Sequence, residues 1–92
     1  MRRTLASIES QSMLPDEVVV VDSSADGQVK EVVVRSSLPT LYIHSDPGLT
    51  RQRNKGVTAS SGDILVFLDD DVELVTGCLQ AFLESLLPFL KA

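Results

Sequence analysis

A run of valines at residues 18–21, which Asp22 ends, constrains the fold more than any other feature of the sequence. Valine is β-branched and favours strands, and a run without alternating polar residues predicts a strand that is covered on both faces. Strands of this kind occur in parallel sheets, whose crossover helices cover both faces. We therefore expect residues 17–22 to form a buried strand of an α/β protein.

The rest of the chain alternates between helical and strand patterns. Leu5 and Ile8 predict a helix at residues 2–12, which must end before Pro15 because the residue preceding a proline avoids helical torsions. The next predicted elements are a helix at 28–36, a strand at 41–44, a helix at 50–60, a strand at 63–68 and an amphipathic helix at 79–90. This order predicts a three-layer α/β fold with a mostly parallel sheet and crossover helices.

Composition excludes several classes of protein. A chain of 92 residues can form one small domain, and no apolar run approaches the length that crosses a bilayer. The single cysteine, Cys78, excludes an intrachain disulfide and a cysteine-based zinc site. The net charge of −5 argues against binding along a nucleic-acid backbone. We expect a cytoplasmic protein with no nucleic-acid partner.

The apolar residues 64–68 run directly into three carboxylates, Asp69, Asp70 and Asp71. Three adjacent negative charges repel one another unless a cation lies among them. In an extended segment Asp69 and Asp71 can point to the same side while Asp70 faces away. Their hard oxygen ligands suit Mg²⁺ or Mn²⁺. The alternative is a solvated turn whose last acid caps the following helix.

Ligands of open α/β sheets bind outside the carboxyl ends of the strands, where Asp22 and the acids at 69–71 are predicted to lie. Arg51, Arg53 and Lys55 cluster early in the helix at 50–60, where the backbone amides favour an anion. Arg51 and Lys55 are four residues apart and share a face. A solvated helix face remains the alternative for this cluster, and a loop cap remains the alternative for Asp22.

Two segments resemble the family 2 glycosyltransferases of the GT-A fold. The family's first helix, second strand and nucleotide-contacting turn are similar to TLASIESQS and LPDEVVVVDSSADG. The family's G-L-[ST]-x-x-R-N-x-G-[IV] segment, which leads into the strand with the DxD motif, is similar to GLTRQRNKGVTASSGDILVFLDDDVEL. The resemblance implies a partial GT-A, Rossmann-like nucleotide-diphospho-sugar transferase fold.

The resemblance also implies roles for individual residues. Asp22 would contact the uracil or ribose of a nucleotide-sugar, Arg51 the base or phosphate side, and Asp69 the ribose region, with Asp70 also among the nucleotide-sugar-binding residues. Asp71 would ligate the Mn²⁺ or Mg²⁺ ion that bridges the diphosphate. The implied partners are a nucleotide-sugar donor, with a UDP-sugar favoured, and a saccharide or lipid-linked acceptor.

The chain also departs from the family pattern. The family's common turn, V-D-D-G-S-x-D, corresponds here to VDSSAD. The family's first strand is expected before Arg2, and its acceptor half, with the catalytic base, after Ala92. We therefore expect residues 1–92 to form a single partial domain, the donor-binding half of a metal-dependent enzyme, inactive by itself and without an assignable catalytic base. The intact parent would be able to associate peripherally with a membrane.

A partial parallel sheet exposes an unpaired edge, so we also expect self-association through that edge. Two other functions stay open. The chain could be a non-catalytic remnant or interaction module that keeps the fold. It could also be a haloacid-dehalogenase-like phosphatase, whose D-x-D also follows an apolar strand, although that motif requires threonine or valine where this chain has Glu73. Binding of a nucleoside diphosphate separates the transferase from the phosphatase.

Overall fold

The computed structural model describes residues 1–62, 64–69 and 72–90, with residues 87–90 described by their backbone alone. Its elements in chain order are α1 (Arg2–Glu9), β1 (Val18–Asp22), α2 (Gln28–Val34), β2 (Thr40–His44), α3 (Leu49–Ala59) and α4 (Cys78–Leu90). These elements confirm the predicted α/β order, with boundaries that differ by a few residues. Even the valine-rich segment at 28–34 is helical, because tertiary packing of Val33 outweighs the weak helix propensity of valine.

The strands β1 and β2 pair in parallel, from Val18 opposite Thr40 to Asp22 opposite His44. At the two ends of the pair, the Val18 N–H donates to the Pro39 carbonyl at 2.9 Å and the Ser45 N–H donates to the Asp22 carbonyl at 2.8 Å. In a parallel ladder, alternate residues of a strand bond to the same neighbour. The backbone groups of the intervening odd-numbered residues of β1 therefore face away from β2, toward the other edge of the sheet.

Helices cover both faces of β1. On one face, Val20 packs in a core with side chains from α1, α2 and the loop before β2, namely Leu5, Ile8, Val33 and Leu38. On the other face, Gly56 of α3 lies so close that an added Cβ would sit 3.6 Å from Cγ2 of Val21. The described residues therefore form three layers, with α1 and α2, then the sheet, then α3, as the valine run predicts.

The predicted strand at 63–68 is wrong for the part of it that the structure describes. Residues 64–68 pair with no strand among the described residues, and their side chains are 38–56% exposed. Strand propensity depends on a neighbouring strand that satisfies the backbone and packs against the side chains. This apolar segment has the β-branched and aromatic residues that suit a strand. It has no strand partner, because the described sheet contains only β1 and β2.

The segment that precedes α4 is attached to α1 through Gln11, which is only 5% exposed. The Gln11 side-chain amide donates to the Val75 carbonyl at 2.9 Å, and its oxygen accepts from the Leu79 N–H at 3.2 Å. The Ser7 hydroxyl also accepts from the Leu74 N–H at 3.0 Å. Beyond Leu79 the apolar side of α4 is half-buried or exposed in the described residues. None of the described helices has the length and apolarity needed to span a bilayer.

Candidate functional site

The carboxyl ends of β1 and β2 bring Asp22 and His44 side by side, since these two residues are register partners. The loop after β1 folds back over this edge, because the Ser24 carbonyl lies 3.0 Å from Nε2 of His44. His44 is exposed at this strand end. The edge where a ligand is expected is therefore built from β1, β2 and the loop that begins at Ser23.

Asp22 accepts three hydrogen bonds at this edge. Its Oδ2 accepts hydrogen bonds from the Tyr42 hydroxyl at 2.6 Å and from the Ser24 hydroxyl at 2.7 Å. Its Oδ1 accepts one from the Ser24 backbone N–H at 3.1 Å. The side chain is 9% exposed, so these donors replace most of its contact with water. Asp22 thus has the loop-cap contacts of the alternative interpretation, and it also lies where a ligand is predicted to bind.

Asp22 and its hydrogen-bond donor Tyr42 have pKa values that are shifted in opposite directions. Burial raises the pKa of Asp22, but the hydrogen bonds from Tyr42 and Ser24, with the charge of His44, together hold that pKa below its ordinary value. The hydrogen bond to Asp22, followed by burial and the nearby negative charges, raises the pKa of Tyr42 to about 12. Asp22 is therefore a carboxylate and Tyr42 a phenol throughout the neutral range.

The basic residues of α3 divide between two sides of the helix. Arg51 and Lys55 line an open groove of about 440 Å³ beside Ile43 of β2, which confirms that they share a face. Nη1 of Arg51 lies 3.6 Å from Oδ2 of Asp46, and both side chains are mostly exposed. An exposed ion pair of this kind contributes about 0–1 kcal/mol to stability. The arginine chosen from the sequence is thus held beside β2 by Asp46.

Arg53 lies on the other side of α3, toward the segment that leads to the acids. Its guanidinium carbon is 5.8 Å from the centroid of the Phe67 ring, close enough for a cation–π contact. Gln52, between the two arginines, donates to the carbonyl of Val21 at 3.4 Å. The arginine of the G-L-[ST]-x-x-R-N pattern falls at Arg53, whereas the base or phosphate contact predicted from the sequence was given to Arg51.

Of the three consecutive acids, Asp69 lies among the described residues, whereas Asp70 and Asp71 lie outside them. The Asp69 side chain is exposed and pairs with no cation of the described residues. Among the described residues the next helix, α4, begins at Cys78. The capping alternative concerns Asp71 and lies outside the described residues. Within the described ranges, no group of three or more His, Cys, Asp or Glu side chains could hold a metal ion.

Comparison with known proteins gives one family. The model of the family described as Glycosyl transferase family 2 matches residues 1–88. The uncharacterized glycosyltransferase YwdF of Bacillus subtilis is 27% identical over 89% of this chain and 31% of its own length. A GalNAc(5)-diNAcBac-PP-undecaprenol beta-1,3-glucosyltransferase of Campylobacter jejuni is 27% identical over 92% of this chain and 29% of its own length.

A polypeptide N-acetylgalactosaminyltransferase 13 of Rattus norvegicus is 28% identical over 91% of this chain and 17% of its own length. The chain therefore spans about a third or less of the curated relatives that it matches. No solved structure matches the chain.

Proposed function

The chain belongs to glycosyl transferase family 2, and from that membership we propose that it forms the donor-binding part of an enzyme that transfers sugar from a nucleoside diphosphate to an acceptor. Family membership supports sugar transfer in general. It also favours the transferase over the phosphatase alternative.

One observation carries the assignment to donor binding. Asp22 is an oriented carboxylate at the carboxyl end of β1, and the Gln52 contact with Val21 sets the first half of α3 beside the same strand end. Asp22 on β1 can accept hydrogen bonds from nucleoside N–H and O–H groups. The basic residues that can attract phosphate lie on α3, which adjoins β1. This is the edge at which open α/β sheets bind ligands.

Each site residue has a proposed role. Asp22 accepts a hydrogen bond from the uracil or ribose of a UDP-sugar. Arg53 and Arg51 attract the diphosphate from the two sides of α3, with Arg53 nearer the acidic segment. Asp69, whose carboxylate is exposed, contacts the ribose region, and Asp70 takes part in the same binding.

A metal ion completes the proposal. Exposed aspartate oxygen, as seen at Asp69, is the hard donor chemistry that Mg²⁺ or Mn²⁺ prefers, and Asp71 is the residue that would hold the ion. When bound, the ion supplies positive charge to the departing nucleoside diphosphate. The acceptor, a saccharide or lipid-linked glycan, is expected to meet the donor at this edge of the sheet, and a peripheral membrane location would suit a lipid-linked acceptor.

Calorimetric titration of UDP into the chain tests this proposal. We expect binding with Mn²⁺, much weaker binding without it, and losses of tenfold or more for Asp22→Asn and Asp71→Asn. Asp16→Asn is the matched control, because Asp16 is an exposed acid that precedes β1, at the opposite end of that strand. Absence of binding by a folded wild-type chain would contradict the proposal, as would equal losses in the control variant.

We also propose that the chain self-associates through the edge of β1 that pairs with no strand among the described residues. The backbone groups of Val19 and the Val21 N–H face that edge, where Gln52 already bonds to the Val21 carbonyl, and residues 64–68 are an exposed apolar segment without a strand partner among the described residues. A second copy carries the same edge and the same segment. If segment 64–68 of each copy pairs with the β1 edge of the other, both edges and both segments gain a partner in a two-fold dimer.

Light scattering after gel filtration tests the self-association. Val66→Lys places a charge in the apolar segment and is expected to give monomers, since charges on edge strands oppose pairing. Val75→Lys is the matched control, because Val75 is 75% exposed outside that segment. A monomeric wild-type chain at all concentrations, or an unchanged dimer in Val66→Lys, would contradict this interface.

A further inference from the structure

Tyr42 is the only tyrosine in the chain, which has no tryptophan. It lies on β2, where its backbone pairs with Val20, and its half-buried ring packs against the core beneath Asp22. Lys30 of α2 lies over the same ring, with Nζ 5.9 Å from the centroid. Tyr42 is thus fixed by the strand, the core and α2, and its hydroxyl reaches the strand end from a rigid base.

The hydrogen bonds of Asp22 leave unequal capacity on its two oxygens. A carboxylate has about four lone-pair sites, two on each oxygen. Both sites on Oδ2 are used, by the hydroxyls of Tyr42 and Ser24. Among the described residues Oδ1 receives one donor, the Ser24 N–H, which leaves one of its lone-pair sites unused. Because an ionised carboxylate carries no proton, Oδ1 can accept a further hydrogen bond but cannot donate one.

We propose that Tyr42 is a positioning residue for donor binding: its hydroxyl fixes the Asp22 carboxylate so that Oδ1 accepts one hydrogen bond from the nucleoside of the donor. This inference rests on the proposed function and deepens it. A ligand that presents an imide N–H or a ribose O–H to Oδ1 is selected, and one that presents an acceptor there is rejected, because two lone pairs would face each other.

The charge state of the pair supports this arrangement. The pKa of Tyr42 is raised and that of Asp22 is lowered, so the shared proton stays on the phenol and the carboxylate stays an acceptor. The charged groups around the pair are His44 on β2, Asp26 in the loop after β1 and Lys30 on α2. Without the Tyr42 hydroxyl, the pKa of Asp22 is expected to rise.

Tyr42→Phe keeps the ring in the core and removes the hydroxyl alone. We expect UDP affinity, measured by calorimetry, to fall roughly tenfold or more, as for the loss of one hydrogen bond to a charged group. We also expect the acidic limb of the affinity-against-pH profile to move to higher pH, which loss of packing would not produce. Thr40→Val is the matched control. It removes a hydroxyl from the same strand, but that hydroxyl donates to the Val33 carbonyl and not to Asp22.

A double-mutant cycle decides whether Tyr42 acts through Asp22. Once Asp22→Asn is present, Tyr42→Phe should cause no further loss of affinity. Ser24→Ala removes the other donor to Oδ2 and should weaken UDP binding in the same direction, which keeps the test available if Tyr42→Phe fails to fold. Wild-type affinity in a folded Tyr42→Phe protein, or full additivity with Asp22→Asn, would overturn the inference.

A second readout needs no ligand. Because the chain has one tyrosine and no tryptophan, its alkaline absorbance change reports Tyr42 alone. The midpoint should fall from about 12 in the wild type toward about 10, the ordinary value, in Asp22→Asn. An unchanged midpoint would overturn the coupling of the pair. Failure of the wild-type chain to bind UDP would instead overturn the proposed function, and the role of Tyr42 in binding with it.

Discussion

Replacement of Gln11 by alanine should destabilise the protein by about 2–4 kcal/mol, since three hydrogen bonds of about 0.5–1.5 kcal/mol each are lost. The buried side chain donates to the carbonyls of Ser7 and Val75 and accepts from the N–H of Leu79. Two of these bonds join the residue that follows α1 by two positions to Val75, just before α4, and to Leu79 in its first turn, far away along the chain. Alanine supplies no replacement partner, so the Leu79 N–H loses its bond to the Gln11 oxygen, and the Val75 carbonyl keeps its bond from the Cys78 N–H at 3.1 Å but loses the one from Gln11.

Urea denaturation followed by circular dichroism measures this cost. With a slope of about 1 kcal/mol/M for a small domain, the midpoint should fall by roughly 2 M or more, or the variant should be unfolded without urea. Gln80→Ala is the matched control, because Gln80 is exposed and bonds to Ser12 and Glu84. The control should change stability by less than about 0.5 kcal/mol. Equal midpoints for Gln11→Ala and the wild type would refute the reasoning.

Four further predictions concern the strand ends and α3. The pKa of Asp22 is lower in the folded protein than in the unfolded chain, where it is about 4, so its ionised side chain stabilises the fold above about pH 4. This stability is lost as pH falls through the folded pKa, and Asp22→Asn should therefore flatten the acid limb of melting temperature against pH. The raised pKa of Tyr42 stabilises the fold fully below about pH 10, and this stability is lost as pH rises toward 12. Tyr42→Phe should therefore remove this loss from the alkaline limb of melting temperature against pH. Gly48→Ala should cost about 1–3 kcal/mol in urea denaturation, because Gly48 has a φ of 139° that other residues avoid. Arg53→Ala should weaken UDP binding more than Arg51→Ala, because Arg53 lies toward the acidic segment; equal losses would contradict this division of α3.

The valine run illustrates what the sequence can predict. A strand covered on both faces, parallel pairing and crossover helices all follow from the absence of polar residues at 18–21, and the structure confirms them. The strand at 63–68 was predicted from the same type of pattern, but its described part is unpaired. Apolar β-branched residues specify that a segment suits a strand, whereas a neighbouring backbone edge determines whether one forms.

The candidate site divides in a similar way. The position of Asp22 at a strand end follows from the sequence, because the end of the apolar run marks it. Its contact with Tyr42 does not, since it depends on the register that sets Asp22 opposite His44. The role of Gln11 was equally hidden, because a polar residue in the last turn of the helix predicted at 2–12 is expected to be exposed until its distant partners are known. The prediction for Asp70 and Asp71 stays a prediction.

Amide chemical-shift mapping of UDP binding in the presence of Mg²⁺ tests the donor-binding proposal most directly, because it reports both whether the nucleotide binds and where. We predict that the largest changes fall on Ser24, His44 and the first turns of α3, and that Asp22→Asn removes them. Changes confined to α1 and the outer side of α2, or none in a folded chain, would contradict a donor site at the carboxyl edge of β1 and β2.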